Sequence, residues 1–248
     1  MATSATGTPP VSAGAPDPKL IEDLVAANRI LAQQGVVDGF GHVSARHDKD
    51  PQRFLLARSM APALVTAADI IEFDLDGNAV NAEGRTVYLE IFIHGAIYKA
   101  RPDVRSVVHS HSPSVIPFGA TGANLRPIYH MSSFLGSGTP IFDIRKKAGM
   151  TDMLIRNNQL GADLASALGD HAVVLMRGHG STAVGDSIPQ AVFRAVYTET
   201  NARLQAEAGK IGPITFLDPE EAKLATATNN GVITRPWELW KRSVGKID

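Results

Sequence analysis

The sequence contains no cysteine. This absence excludes disulfide bonds, thiolate zinc sites and a thiol nucleophile, and it leaves histidine and carboxylate side chains as the candidate metal ligands. Long apolar runs are also missing, and no stretch approaches the roughly 20 residues that a membrane-spanning helix needs. Charges of the two signs nearly cancel, leaving a net charge of -1. We therefore expect no basic surface for nucleic acid and no association with an anionic membrane.

The composition is otherwise that of a globular protein, with 44% hydrophobic and 20% charged residues in a chain of 248. This length allows one large domain with a full core. Residues 1–17 are mostly alanine, threonine, serine, glycine and proline, without the basic start and apolar block of a signal peptide. We expect a disordered tail over residues 1–17, a single domain over residues 18–248, and a cytoplasmic location.

Helix and strand signals mix along the chain without strict alternation. Asp17 can cap a first helix that ends near Gly35. The clearest helix has one apolar stripe from Leu89 to Ala100, and a long helix begins after Ser187. Strands are predicted near Val43 and over the ranges 53–56, 70–75, 106–110 and 172–176. This irregular order predicts a layered α/β domain with a mixed sheet.

Two histidines, His109 and His111, lie in one predicted strand. Alternate side chains of a strand point to the same face, so both imidazoles project together. Two such groups can bind one metal ion at about 2.0–2.1 Å each. A His-x-His pair alone is more often two histidines that hydrogen-bond or face solvent, so a metal site needs further ligands.

Two further motifs supply such ligands. His179 lies between two glycines directly after an apolar strand, and glycines permit close approach of the backbone. Taken alone, that motif is a turn with an incidental histidine. Glu90 lies one helical turn before His94, on the helix that a short proline turn connects to the His109 strand. A carboxylate near a metal can ligate it or act as an acid or base, whereas Glu90 alone would be a surface residue that favours the helix dipole.

Together these motifs resemble the class II aldolase/adducin family, and the resemblance runs through nearly the whole chain. The matching segments are Gly41 to Ser44, Glu90 to His94, Arg101 to Val104, Val107 to Pro113 and Arg177 to Gly180. The resemblance implies a three-layer α/β/α fold with a mixed, largely antiparallel central sheet. It implies one divalent metal per subunit, held by His109, His111 and His179, with Glu90 as the catalytic acid/base. Three histidines favour Zn²⁺, and added oxygen ligands would also suit Mn²⁺.

The chain departs from the family's aldolases at the positions where they cradle a phosphate. His42 replaces the asparagine of a Gly-Asn turn, and Arg58-Ser59 replaces a Ser-Gly pair. Tyr88 stands at the first position of a Ser-Ser pair, which reads Tyr88-Leu89 here. Small residues suit a phosphate nest, whereas an arginine fork matches a carboxylate and rings can face an aromatic substrate. We therefore predict that His42, Arg58, Ser59 and Tyr88 bind substrate. The alternatives are a solvated Arg58, a Tyr88 that packs on the helix, and a His42 bonded to backbone.

A second candidate for proton transfer is His130. The family's aldolases carry a tyrosine at this place, and that tyrosine comes from a neighbouring subunit and helps protonation. The resemblance therefore predicts a homo-oligomer, a tetramer, with the active site near the subunit boundary. Tyr129, His130 and the segment Trp237–Trp240 are the candidate contacts there, because aromatic residues are enriched at interfaces.

Within the family, the chain most resembles decarboxylases of hydroxypyridine dicarboxylates and dihydroxyphthalates. This resemblance is carried by Gly41 to Ser44, Arg58-Ser59 and Arg126 to Met131. It implies a metal-dependent lyase that decarboxylates an ortho-hydroxy aromatic acid or diacid through an enolate-like state, which a Lewis-acid metal stabilises. One alternative is an aldolase or epimerase that acts on an unphosphorylated hydroxy-keto acid or sugar acid. The other is an adducin-like module without catalysis.

Overall fold

A computed structural model of the protein describes residues 10–245. Its centre is a sheet of seven strands. In chain order the strands are β1 (His42–Arg46), β2 (Arg53–Ala57), β3 (Ile70–Asp74), β4 (Ser106–Ser110), β5 (Ile141–Phe142), β6 (Val173–Met176) and β7 (Gly180–Gly185). Their order across the sheet is β3-β2-β1-β4-β7-β6-β5. Among the strands of residues 10–245, only the β5–β6 pair is parallel, which confirms the mixed, largely antiparallel sheet predicted from the sequence.

Helices connect and cover these strands. The α-helices are α1 (Pro18–Gln33), α2 (Ile91–Ala100), α3 (Ile116–Thr121), α4 (Arg145–Ala148), α5 (Asn158–Leu168), α6 (Ile188–Ile211), α7 (Pro219–Asn230) and α8 (Thr234–Ser243). Short 3-10 helices cover Pro62–Leu64, Ala67–Asp69 and His130–Ser137. None of the helices in the described part of the chain is apolar over enough of its length to cross a membrane.

Two apolar cores lie on opposite faces of the sheet. Neighbouring residues of β4 show the division, because Val108 belongs to one core and Val107 to the other. The first core includes Leu24 of α1 and Val192 of α6, and the second includes Ile93 of α2. Alternate side chains of a strand point to opposite faces, so each face buries its own apolar set beneath helices. This arrangement confirms the three-layer α/β/α fold.

The predicted helix starts follow their capping residues. The side chain of Asp17 accepts a hydrogen bond of 2.9 Å from the backbone amide of Lys19 at the start of α1. The side chain of Ser187 accepts one from the amide of Gln190 at the start of α6. These oxygens satisfy amides that have no partner within the helix, which fixes where each helix begins.

The predicted disordered tail needs correction over part of its length. Residues 1–9 lie outside the described residues, but residues beyond them contact the sheet. The Ser12 hydroxyl and the Ala13 amide both donate to the Glu72 carboxylate, at 2.6 and 2.8 Å. The Gly14 carbonyl lies 3.1 Å from Nε2 of His47. A buried carboxylate on the edge strand β3 therefore holds this segment in place, which the polar composition alone does not indicate.

Candidate metal centre

Three elements meet at one end of the sheet and bring four potential metal ligands together. Strand β4 ends at Ser110, so His109 and His111 lie at its carboxyl end. Because β4 and β7 are antiparallel, the residue before β7, His179, reaches the same end. Glu90 immediately precedes α2 and lies at the amino end of that helix.

Each of these four residues offers one ligand atom, and all four atoms lie within 4.8 Å of one another. Oε2 of Glu90 is 3.5 Å from Nε2 of His109 and 3.5 Å from Nε2 of His179. Nε2 of His111 is 3.0 Å from Nε2 of His179. The structure thus brings together the three histidines and the glutamate that the motifs predict.

The glycines beside His179 have a steric reason. A Cβ atom on Gly180 would lie 1.9 Å from the carbonyl oxygen of Ser110, which no side chain tolerates. Gly178 has a φ of +64°, in the left-handed region that favours glycine. Gly180 therefore lets β7 approach β4 closely, and Gly178 permits the turn that sets His179 beside His111.

Backbone groups of one loop hold two of the ligands. The Met153 carbonyl oxygen lies 3.0 Å from Nδ1 of His179, so Nδ1 carries the proton and Nε2 is left as the lone-pair donor toward the cluster. The Ile155 amide donates to Oε1 of Glu90 at 2.9 Å, leaving Oε2 to face the histidines. Met153 has a φ of +71°, which is uncommon for a residue with a side chain and costs energy. The strained backbone here aims a carbonyl at a site residue.

The Glu90 carboxylate dominates the electrostatics of the cluster: burial lowers the pKa of His179, but the hydrogen bond and charge attraction of Glu90 outweigh it and raise that pKa above its usual value. Burial opposes ionisation of Glu90, but hydrogen bonds and charge attraction from His109 and His179 outweigh it, so the pKa of Glu90 is held well below its usual value. Burial, with repulsion from neighbouring histidines, lowers the pKa of His111 to about 4. Neutral imidazole and ionised carboxylate are the forms that bind a metal.

The surroundings of His109 indicate whether these residues fit a metal. The side chain is fully buried, and neither ring nitrogen has a hydrogen-bond partner among the described residues. Buried polar atoms without a partner are rare and need an explanation. A metal bond at Nε2 provides one, since that nitrogen faces Glu90. The donor set of three imidazoles and one carboxylate also matches the ligands of a divalent metal such as zinc.

Two of the predicted substrate residues lie against this cluster. His42 pairs directly opposite His109 in the β1–β4 register, and their ring centroids are 5.0 Å apart. The Tyr88 ring packs on His42 with centroids 4.5 Å apart, and its hydroxyl donates to the Met60 carbonyl at 2.5 Å. Two aromatic rings therefore form a wall beside the metal ligands.

Arg58 and Ser59 lie further out. Nε of Arg58 contacts Oδ1 of Asp69 at 2.6 Å, and the arginine side chain is 38% exposed. Asp69 also accepts hydrogen bonds from the amide and hydroxyl of Thr66. Burial raises the pKa of Asp69, but the hydrogen bonds from Arg58 and Thr66 outweigh it and hold that pKa below its usual value. Ser59 is exposed, and its backbone amide donates to the Thr86 carbonyl.

The structure places His130 apart from the cluster within one chain. It is exposed at the start of the 3-10 helix, its ring faces Tyr129, and its carbonyl accepts from the Asn229 side chain. The segment Trp237–Trp240 stays a predicted subunit contact, but its two tryptophan rings are not the exposed part of it. Both are buried within the chain's own first core, while Leu239 between them is 67% exposed.

Sequence reasoning missed several residues near the site. Phe40 is 68% exposed, yet its ring stacks toward His111 with centroids 6.2 Å apart. The loop residues Met153 and Ile155 act through their backbone, which leaves no side-chain signal. The signal for Phe40 was present, because it is an aromatic residue in the turn that leads to His42.

Comparisons with known proteins agree with this geometry. Residues 22–206 match the model of the Class II Aldolase and Adducin N-terminal domain. The decarboxylase tropJ of Talaromyces stipitatus is 40% identical over 248 residues, covering 90% of this chain and 93% of that protein. A 3,4-dihydroxyphthalate decarboxylase of Arthrobacter keyseri is 32% identical, covering 91% of this chain and 93% of that protein.

A solved structure shares the fold. The L-fuculose 1-phosphate aldolase of Glaciozyma antarctica PI12 superposes with a TM-score of 0.76 at 26% identity, covering 91% of this chain and 88% of that chain. Decarboxylases and aldolases both act on carbon–carbon bonds, and these relatives support a lyase role. With a family model that spans most of its length, this chain belongs to the class II aldolase and adducin family.

Proposed function

We propose that the protein is a metal-dependent carbon–carbon lyase that decarboxylates an ortho-hydroxy aromatic acid or diacid. The observation that carries this proposal is the pair of rings, His42 and Tyr88, packed beside the ligand cluster where family aldolases cradle a phosphate. The names of two relatives, a decarboxylase and a 3,4-dihydroxyphthalate decarboxylase, support the same reaction.

His109, His111 and His179 would hold one Zn²⁺ or Mn²⁺ per subunit, with Glu90 beside it. When bound, the metal supplies Lewis-acid stabilisation for negative charge that develops on substrate oxygen. The protein fixes the directions of its ligands beforehand. The Met153 carbonyl orients the His179 ring, and β4 sets His109 and His111 on one face.

Glu90 would carry the proton. Its Oε1 is occupied by the Ile155 amide, so Oε2 is the atom available to substrate. An ionised carboxylate can accept the proton of the ortho hydroxyl and then deliver it to the ring carbon from which CO₂ departs. The carbon–carbon electron pair forms the new carbon–hydrogen bond, and the substrate oxygen regains a proton from water. His130 is the second candidate donor, and it would have to come from a neighbouring subunit.

Residues on the outer side would recognise the rest of the substrate. Tyr88 and His42 can face an aromatic ring. Arg58 keeps its terminal nitrogens for a second carboxylate, since Asp69 contacts only Nε. Ser59, exposed beside Arg58, can add a hydroxyl contact. These larger side chains leave no nest of small residues for a phosphate.

The test is release of CO₂ by the metal-loaded protein. We expect turnover with 3,4-dihydroxyphthalate or another hydroxyaromatic dicarboxylate in a panel, and poor cleavage of L-fuculose 1-phosphate. Efficient cleavage of the sugar phosphate together with no CO₂ from any hydroxyaromatic acid would refute the decarboxylase proposal. The metal centre would survive that result, because both reactions use the same ligands.

A second candidate is an aldolase or epimerase acting on an unphosphorylated hydroxy-keto acid or sugar acid. The shared fold of the L-fuculose 1-phosphate aldolase favours it. It predicts release of an aldehyde or inversion at carbon without CO₂, and little dependence on Arg58 for neutral substrates. A non-catalytic adducin-like module is disfavoured, because a scaffold has no use for four converging ligands. Metal content after purification separates that module from an enzyme.

A further inference from the structure

Behind the aromatic wall, a chain of hydrogen bonds runs from the site into the core. Nδ1 of His42 lies 2.7 Å from Nε2 of His94. Nδ1 of His94 lies 2.6 Å from the Ser44 hydroxyl, which in turn lies 2.7 Å from the Tyr98 hydroxyl. All four side chains are buried. Four buried polar side chains joined in one line have only a few arrangements of their protons, so the order of donors can be worked out.

Neutral imidazole carries one proton, so each histidine here has one donor and one acceptor nitrogen. Both rings are buried, their nitrogens are joined at 2.7 Å, and neither ring forms an ion pair with a carboxylate among the described residues, so both are in the neutral form. Burial raises the pKa of Tyr98 well above its usual value, so its hydroxyl keeps its proton. Two orders of donation are then consistent with the distances.

In the first order, Tyr98 donates to Ser44, Ser44 donates to Nδ1 of His94, and Nε2–H of His94 donates to Nδ1 of His42. Every buried donor has an acceptor. In the reverse order, His42 donates to His94 and His94 donates to Ser44, so the proton of either Ser44 or Tyr98 has no acceptor among the described residues. A buried donor without a partner costs roughly 1–3 kcal/mol, so the first order is favoured.

This order determines what His42 presents to the site. With Nδ1 accepting from His94, the proton of His42 must lie on Nε2. Nε2 of His42 has no hydrogen-bond partner among the described residues. It is not completely enclosed by protein atoms, so a substrate can reach it. We infer that Ser44 and His94 are positioning residues that hold His42 as a neutral N–H donor, facing a substrate oxygen beside His109.

The chemical consequence concerns specificity. A fixed N–H donor suits an acceptor oxygen, and a carboxylate oxygen is the strongest one that the proposed substrates carry. His42 in this form cannot act as a base through Nε2. Only the identity of the substrate oxygen rests on the proposed function, because the tautomer of His42 follows from the hydrogen bonds alone.

The experiment measures that tautomer in the zinc-loaded protein. Histidine labelled with ¹⁵N at the ring distinguishes Nε2–H from Nδ1–H in long-range ¹H–¹⁵N correlation spectra. The signal of His42 is identified by its loss in His42→Phe, which keeps a ring but removes the donor. We expect Nε2–H in the wild-type protein. Nδ1–H in the wild type would overturn the inference, whether or not the protein decarboxylates any acid.

Two further variants test which group sets the order. Ser44→Ala removes the hydroxyl that donates to His94, so both tautomers of His42 should appear. Tyr98→Phe is the matched control, because Ser44 can still donate to His94 and the Nε2–H form should persist. If 3,4-dihydroxyphthalate is a substrate, Ser44→Ala should raise its KM about twofold, as expected when half of the molecules present the donor. A Ser44→Ala spectrum like that of the wild type would overturn the inference.

Discussion

The backbone amide of Ile155 donates to Oε1 of Glu90 at 2.9 Å, so this buried carboxylate reaches the ligand cluster through one oxygen only. Oε2 lies at equal distances of 3.5 Å from His109 and His179. An amide oxygen can accept the same bond from Ile155. Glu90→Gln therefore keeps the shape and the position of the side chain while removing its capacity to carry a proton.

We expect Glu90→Gln to bind metal and to lose turnover by about 10²-fold or more, because a positioned acid or base contributes that much. The measurement is the rate of CO₂ release at saturating substrate, with metal content determined on the same preparation. Glu207→Gln, an exposed glutamate of α6, is the control. Near-normal turnover in Glu90→Gln would shift the role to another donor, with His130 next.

The metal ligands allow a matched comparison between histidines. His179→Ala removes one of four converging ligands, so it should lose most bound metal and most activity. His171→Ala removes a histidine outside the cluster and should keep both. Metal-to-protein ratios by mass spectrometry, after equal exposure to a chelator, provide the measurement. Full metal occupancy in His179→Ala would contradict the assignment.

Metal removal should also lower thermal stability. A ligand that binds the folded state alone stabilises it by about 2.7 kcal/mol at a hundred times its dissociation constant. We expect the wild-type protein to unfold at a lower temperature after chelation, and to recover on addition of Zn²⁺ or Mn²⁺. His179→Ala should show little response to added metal. An equal shift in both proteins would mean that the metal binds elsewhere.

The sequence predicts those parts of the fold that have their own apolar pattern. The helix α2 and the strands β1 to β4 were recognisable for this reason. Strand β7 was not, because its residues Gly180–Gly185 are mostly small, with four of the six being glycine, serine or alanine. It is a strand because β4 and β6 pair with it on both sides, and this pairing is a tertiary effect.

The residues of the site also fall into those that the sequence predicts and those that it does not. The side chains of His109, His111, His179 and Glu90 form motifs that a sequence displays. The Met153 carbonyl and the Ile155 amide belong to any residue type, so no sequence pattern marks them. Their role depends on the path of the loop, and that path includes a positive φ at Met153 that a methionine does not predict.

Arg58 offers a test of the substrate's second carboxylate. Arg58→Lys keeps the charge but loses the planar fork, so it should weaken binding of an aromatic dicarboxylate. Loss of a charge-assisted hydrogen bond costs roughly 1.5–3 kcal/mol, or about a tenfold to hundredfold fall in kcat/KM. Asp69→Asn should cause a smaller fall, since it loosens the Nε contact but leaves the guanidinium in place. An unchanged kcat/KM in Arg58→Lys would support a solvated arginine.

The assembly prediction is a homo-oligomer, with a tetramer expected. His130 is exposed, and its contacts within the described residues are with Tyr129 and Asn229 and not with the cluster, so we expect it to act across a subunit boundary. Light scattering coupled to gel filtration should give a mass near four times 26.4 kDa. His130→Ala should then lower activity without loss of metal. A fully active monomer would refute both expectations.

The last prediction concerns Phe40, whose exposure and position call for an explanation. An apolar ring that is 68% exposed gains nothing for folding, yet it lies 6.2 Å from the ring of His111 and nearly parallel to it, at an interplanar angle of 29°. We predict that Phe40 covers one side of the site and stacks on the aromatic ring of the substrate. Such a contact contributes about 0.5–1.5 kcal/mol, so Phe40→Ala should raise KM roughly twofold to tenfold at unchanged metal content.

Phe40→Tyr, which keeps an aromatic face, should retain the wild-type KM. Leu224→Ala, a comparably exposed apolar residue on α7, is the control and should leave KM unchanged. If Phe40→Ala instead breaks the oligomer with KM preserved, the ring serves a subunit contact and not the substrate.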